Sequence, residues 1–123
     1  MRRCAWVAES QAQFAQLIYK NSMTLADLDI AVRSPTPLPD GVPPLVRALW
    51  HDAVGDWNQA HAVAQDVETA DGAWVHAYLH RKEGDLGNAG YWYRRAGKPP
   101  ATGSLEAEWR QIAAALLGER PVR

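Results

Sequence analysis

An all-α fold is predicted, on three observations. Apolar residues recur at helical spacing in segment after segment, as in Leu25, Leu28 and Val32 or Leu105, Trp109, Ile112 and Leu116, and no stretch sustains the alternation of a half-buried strand. The pattern His-x-x-x-Gly-Asp-x-x-x-Ala occurs twice, from His51 to Ala60 and from His80 to Ala89. With Val46, Ala48, Val75 and Ala77 included, six identities lie 29 residues apart without a gap. A fixed period of this size marks repeated supersecondary units, each unable to bury its apolar face alone. Finally, glycines and capping residues fall at the ends of the apolar stripes, where helices stop and start.

The elements follow in order. Phe14, Leu17 and Ile18 share one face of a helix over about 9–19. Thr24 is the expected N-cap of a second helix through about Val32. The stretch from Ser34 to Pro44 holds five prolines, each of which bars its predecessor from the α region, so it reads as a stiff extended linker. Pro44 suits the first turn of a helix running from Leu45 to about Val54. Gly55 ends that helix and Asp56 caps the next, with Gln59 three residues on as in a capping box. The following helix carries Trp57, Ala60, Ala64 and Val67 on one stripe. A loop over 68–72, with Asp71 as cap, leads to a helix over about 73–83. Gly84 and Asp85 repeat the corner, and Leu86, Ala89, Tyr93 and Ala96 form the next stripe. Ser104 caps a last helix through about Leu117. The expected division is a helical N-terminal segment over 1–34, a proline-rich linker over 35–44, and a helical-hairpin repeat domain over 45–118 ending in a capping helix.

The chain has 123 residues, enough for one core without disulfides or metal. Its formal charge of -1 supplies no global attraction for nucleic acid or acidic membranes. Cys4 is the single cysteine, so an internal disulfide is impossible, which suits a reducing cytosol. Glu9, Gln11 and Gln13 interrupt any apolar signal region, and no window approaches the ~18 apolar residues of a membrane span. A cytoplasmic protein is expected.

The segment Gly84-Asp85-Leu86-Gly87-Asn88-Ala89-Gly90-Tyr91-Trp92-Tyr93-Arg94-Arg95-Ala96 resembles the second helix of a tetratricopeptide or Sel1-like repeat. Those families place an alanine four residues after the aspartate, then aromatics, then an alanine seven residues further. Ala89, Trp92, Tyr93 and Ala96 fill these positions. The resemblance covers roughly 45–97 and implies paired antiparallel helices, close enough to require alanine between them. The period of 29 is shorter than the usual 34. The run Trp74 to Asp85, continued by Tyr91 to Gly97, is also similar to an uncharacterised family of small bacterial proteins, which implies no activity.

Three constellations bear on function. His76, His80 and Glu83 lie at i, i+4 and i+7 on one helix and can project to one side, as a Zn²⁺ or similar divalent site requires. Repeat symmetry nominates His51 as a fourth ligand. The structural alternative is that His51 and His80 bond free carbonyls in their last helical turns, and that His76 is a contact between helices. Arg81, Lys82, Arg94, Arg95 and Lys98 form a local basic group among Tyr91, Trp92 and Tyr93. Such a mixture can bind single-stranded nucleic acid or acidic peptides, but the net charge argues against nucleic acid. The tryptophans fall near apolar stripes and read as core, with Trp92 expected against the last helix.

No nucleophile elbow, phosphate loop or dinucleotide fingerprint is present, so no catalytic residue is assigned and no organic cofactor is expected. The first expectation is an interaction module with a protein partner or a second copy, using the Pro35–Pro44 linker or the N-terminal helices on one side, or the His76–His80–Arg94 face on the other, with Trp92 and Arg95 among the candidate binding residues. The alternative is a small-molecule or metal-binding protein with a cleft lined by His51, His76, His80 and Glu83.

Overall fold

A computed structural model of the chain describes residues 23–118. The helix expected over 9–19, and Cys4, lie outside the described residues. Within them there are six helices and no strand: α1 (Leu25–Arg33), α2 (Pro44–Ala53), α3 (Trp57–Asp66), α4 (Ala70–Lys82), α5 (Leu86–Ala96) and α6 (Leu105–Leu116).

Thr24 opens α1 with a capping box. Its hydroxyl accepts from the Asp27 amide, and the Asp27 carboxylate accepts from the Thr24 amide. The proline-rich stretch that follows does not stand clear of the fold. Leu38 and Val42 are buried, and the Arg47 guanidinium of α2 donates to the carbonyls of Leu38 and Pro39 at 3.4 and 2.5 Å. Pro44 then starts α2, where its missing N–H costs nothing.

Both Gly-Asp corners form as the sequence predicts, except that the expected capping box with Gln59 is only half made, the Asp56 amide bonding the His51 carbonyl instead. Gly55 and Gly84 adopt φ of 98° and 91°, a left-handed region unfavourable to any side chain. Asp56 and Asp85 cap α3 and α5 by accepting from the amides of Gln59 and Asn88. Asp56 and Asp85 also donate their own amides back to His51 and His80 at 2.8 and 2.9 Å, so the two corners match bond for bond.

The start of α4 differs from expectation. Thr69, not Asp71, is the cap, accepting from the Gly72 amide at 3.0 Å. The helix therefore begins three residues early, and Asp71 contributes negative charge to its first turn. Gly72 reads as loop in the sequence but is a buried helical residue: a Cβ there would lie 1.9 Å from the Val67 carbonyl oxygen. Glycine is required by close approach, not by a turn.

α4 is the centre of the molecule. Every residue from Gly72 to His80 is buried. α3 packs against α4 and α2, and α6 packs against the same two helices without touching α3. α5 packs chiefly on α4 and reaches α6 through the Tyr93 hydroxyl, which donates to Glu108, while α1 packs on α2 and α6. Ala60 and Ala64 on α3, with Ala89 and Ala96 on α5, are buried and let the backbones approach. Three tryptophans then tie helices together through indole N–H groups. Trp50 donates to the Ala31 carbonyl, Trp57 to Leu79 and Trp109 to Leu49, at 2.9–3.1 Å.

Two stripe assignments change. Leu86 is 68% exposed although Ala89, Tyr93 and Ala96 of its stripe are buried. Its counterpart Trp57 has α4 to pack upon, whereas no described helix follows α5 on that side. Trp92 does not meet α6; it lies on α4. No helix among the described residues is long and apolar enough to cross a membrane.

Two glycine substitutions test this packing in opposite directions. Gly72→Ala is expected to destabilise the fold by roughly 1–3 kcal/mol, because backbone must move. Gly90→Ala, whose new Cβ would meet only the Arg94 side chain at 3.7 Å, is expected to stabilise by about 0.5–1 kcal/mol. Urea denaturation midpoints measure both.

Candidate functional site

The face of α4 between α3 and α5 carries a cluster of imidazoles. His76 and His80 are one helical turn apart and buried, with ring centroids 4.8 Å apart. The third member is His61 of α3. Its Nε2 lies 2.9 Å from Nε2 of His76, and ligand atoms of His61, His76 and His80 all fall within 4.8 Å of one another. Indole rings wall the group. Trp57 stacks on His61 at 4.9 Å, and Trp92 of α5 stacks on His76 at 3.9 Å.

The protonation pattern follows from the contacts. Glu83, at the C-cap of α4, places Oε2 2.7 Å from Nδ1 of His80. A carboxylate only accepts, so Nδ1 carries a proton, which in the neutral ring leaves Nε2 as the lone-pair nitrogen. The Asn88 amide stands 3.3 Å from that Nε2 as a weak donor. Between His61 and His76 one Nε2 donates and the other accepts, which requires at least one neutral ring. Burial foremost, and then the neighbouring His61 and His80, drive the pKa of His76 down to about 4. His61 is lowered as well, by burial and then by His80, with Glu83 acting in the other direction.

The structure brings His76, His80 and Glu83 together, as the helical spacing indicates, and adds Trp92, whose expected place is against the last helix. It leaves His51 out. The His51 ring sits edge-on to Trp50 at 5.2 Å, and Asp56 and Arg47 are the charges acting on it. Burial lowers its pKa, Asp56 opposing and Arg47 assisting. The repeat pairs His51 with His80, but equivalent positions in two hairpins face their own partners, not one another. His61 is absent from that reading because its counterpart, Gly90, carries no side chain. The signal lay in α3 itself: Trp57, His61 and Ala64 are at i, i+4 and i+7, on the stripe that meets α4.

The basic group disperses. Arg81 pairs with buried Glu108 at 2.9 Å and also donates to the Gly103 carbonyl. Lys82 pairs with buried Asp52 at 2.8 Å, and Lys98 lies over the Trp74 ring. Arg94 is exposed. Arg95 stays beside the cluster, over Trp92 at 5.3 Å, donating to the Tyr91 hydroxyl at 3.1 Å. A cavity of about 470 Å³ adjoins His76 on the side of the α4 N-terminus, lined by His76, Trp92, Arg95, Gln65, Glu68 and Thr69 among others.

No protein-family model matches the chain, and comparison with curated proteins and with solved structures gives no significant match.

The buried imidazoles give a pH dependence of defined sign. The unfolded chain binds a proton at His76 below its ordinary pKa of 6.5, whereas the fold resists until about 4. Stability from this group is complete above 6.5 and is lost as pH falls toward 4. Thermal melts in chelator from pH 7.5 to 4 should show a loss on the order of 2–3 kcal/mol, and His76→Gln should flatten the profile.

Proposed function

We propose that this protein binds a divalent transition-metal ion through Nε2 of His61, His76 and His80, with Glu83 orienting His80 from behind. The observation that carries the reading is convergence of three imidazoles from two helices, one already held at Nδ1 by a carboxylate. A metal-ligating histidine commonly donates its second ring N–H to such a partner, which fixes the tautomer and raises ligand basicity. The depressed pKa values of His61 and His76 keep both rings neutral near pH 7, the state that binds metal. The three donor nitrogens lie within 4.8 Å of one another, and the approach of His61 to His76 is already near ligand spacing. Tetrahedral Zn²⁺ at ~2.0–2.1 Å from each nitrogen separates its ligands by roughly 3.3 Å, against 2.9 Å between His61 and His76. Imidazole donors suit zinc, copper, nickel or iron, and exclude magnesium and calcium as natural occupants.

The alternative of an interaction module is served less well by its proposed surfaces. Leu38 and Val42 hold the proline-rich stretch against α2, and the His76–His80 face is the floor of the imidazole cluster.

Isothermal titration of the full chain with Zn²⁺ or Co²⁺ at pH 7.5 tests the assignment. One ion per chain is expected. His61→Ala and His80→Ala should each abolish binding or weaken it a hundredfold or more while the helical circular dichroism persists. Glu83→Gln should weaken it by roughly 10–100-fold, and His51→Ala should leave it unchanged. Binding indifferent to His61 would overturn the assignment.

A further inference from the structure

We infer that the metal keeps one coordination position for an external ligand, and that this ligand is a small carboxylate seated in the cavity beside His76. The inference rests on the metal-binding reading above. Three nitrogen donors from the chain leave a borderline divalent ion short of its usual four ligands, and a site with three protein ligands is one that takes water or substrate in the remaining position. Among the described residues no fourth histidine, cysteine or carboxylate joins His61, His76 and His80 within ligand distance. Glu83, the nearest acid, is engaged with the far nitrogen of His80 at 2.7 Å.

The adjoining cavity sets the chemistry of the ligand. It shares His76 and Trp92 with the cluster, so a molecule within it lies against one of the three rings proposed to hold the metal. At about 470 Å³ it is within the range of small-ligand sites. Its cation is Arg95, which has no carboxylate partner among the described residues and spends one N–H on the Tyr91 hydroxyl. Stacking against Trp92 and Tyr91 holds the guanidinium in place, leaving donors for a planar two-oxygen group. Glu68 also lines the cavity, and Gln65 and Thr69 add polar groups of no net charge. The Glu68 carboxylate repels a dianion more than a monoanion, so a carboxylate fits better than a phosphate. One oxygen would meet the metal and the other Arg95, without covalent change.

The test uses Co²⁺-loaded full-length protein and acetate as the probe, read by visible absorption. A saturable change in the Co²⁺ bands is expected, with inorganic phosphate binding more weakly than acetate at pH 7.5. Arg95→Gln should weaken acetate binding roughly tenfold, equivalent to loss of one charge-assisted bond, with Co²⁺ affinity retained. Bands that acetate does not move, or an acetate response equal in the Arg95→Gln protein, would overturn the inference and leave the metal reading standing. Failure to bind Co²⁺ at all would remove both.

Discussion

A helix buried on every side has nowhere to place a polar side chain except against a group offered by a neighbour. That constraint governs this molecule, because α4 is enclosed from Gly72 to His80 and yet carries Tyr78, His76 and His80 within that span. Each is answered from another helix or from the next turn. Tyr78 donates to Asp52 of α2, His76 shares a proton with His61 of α3, and His80 meets Glu83. At the helix end Arg81 and Lys82 reach out to Glu108 and Asp52. An unanswered polar group in such a position costs on the order of 1–3 kcal/mol, so these partners select which helices pack on α4 and in what register.

The two buried carboxylates show how the enclosure is balanced. Asp52 accepts from the Tyr78 hydroxyl and from Lys82, and Glu108 accepts from Arg81 and the Tyr93 hydroxyl. Burial and the adjoining carboxylates push both tyrosine hydroxyls well above their ordinary pKa, so they remain donors under any physiological condition. Each carboxylate thus has one cation and one neutral donor. The imidazole group is the exception. It contains acceptors and shared protons but no permanent cation.

Much of this was legible in the residues. Helix ends were, because Thr24, Gly55-Asp56, Gly84-Asp85 and Ser104 act through local bonds within three or four residues of themselves. The α4 start was not, since two competing caps, Thr69 and Asp71, lie two residues apart, and the requirement at Gly72 comes from the Val67 carbonyl rather than from local turn chemistry. The half of the histidine cluster on one helix, His76 and His80, was visible as i, i+4 spacing. The remaining donor depended on which face of α3 meets α4, a tertiary fact. Repeat equivalence misdirected the search toward His51, because residues matched between copies occupy analogous places and not the same place.

The pairing of Trp57 with Leu86, and of His61 with Gly90, carries a consequence for what α5 can hold against its outer face. In the first hairpin these two positions supply an indole donor and an imidazole to the helix that comes next. In the second they supply an aliphatic side chain and bare backbone. A further hairpin laid on α5 would find neither the hydrogen-bond donor nor the ring that seats α4 on α3. The chain turns instead across the opposite side of α2 and α4. Two side-chain differences between otherwise matched segments thus leave α5 without the groups by which α3 grips α4.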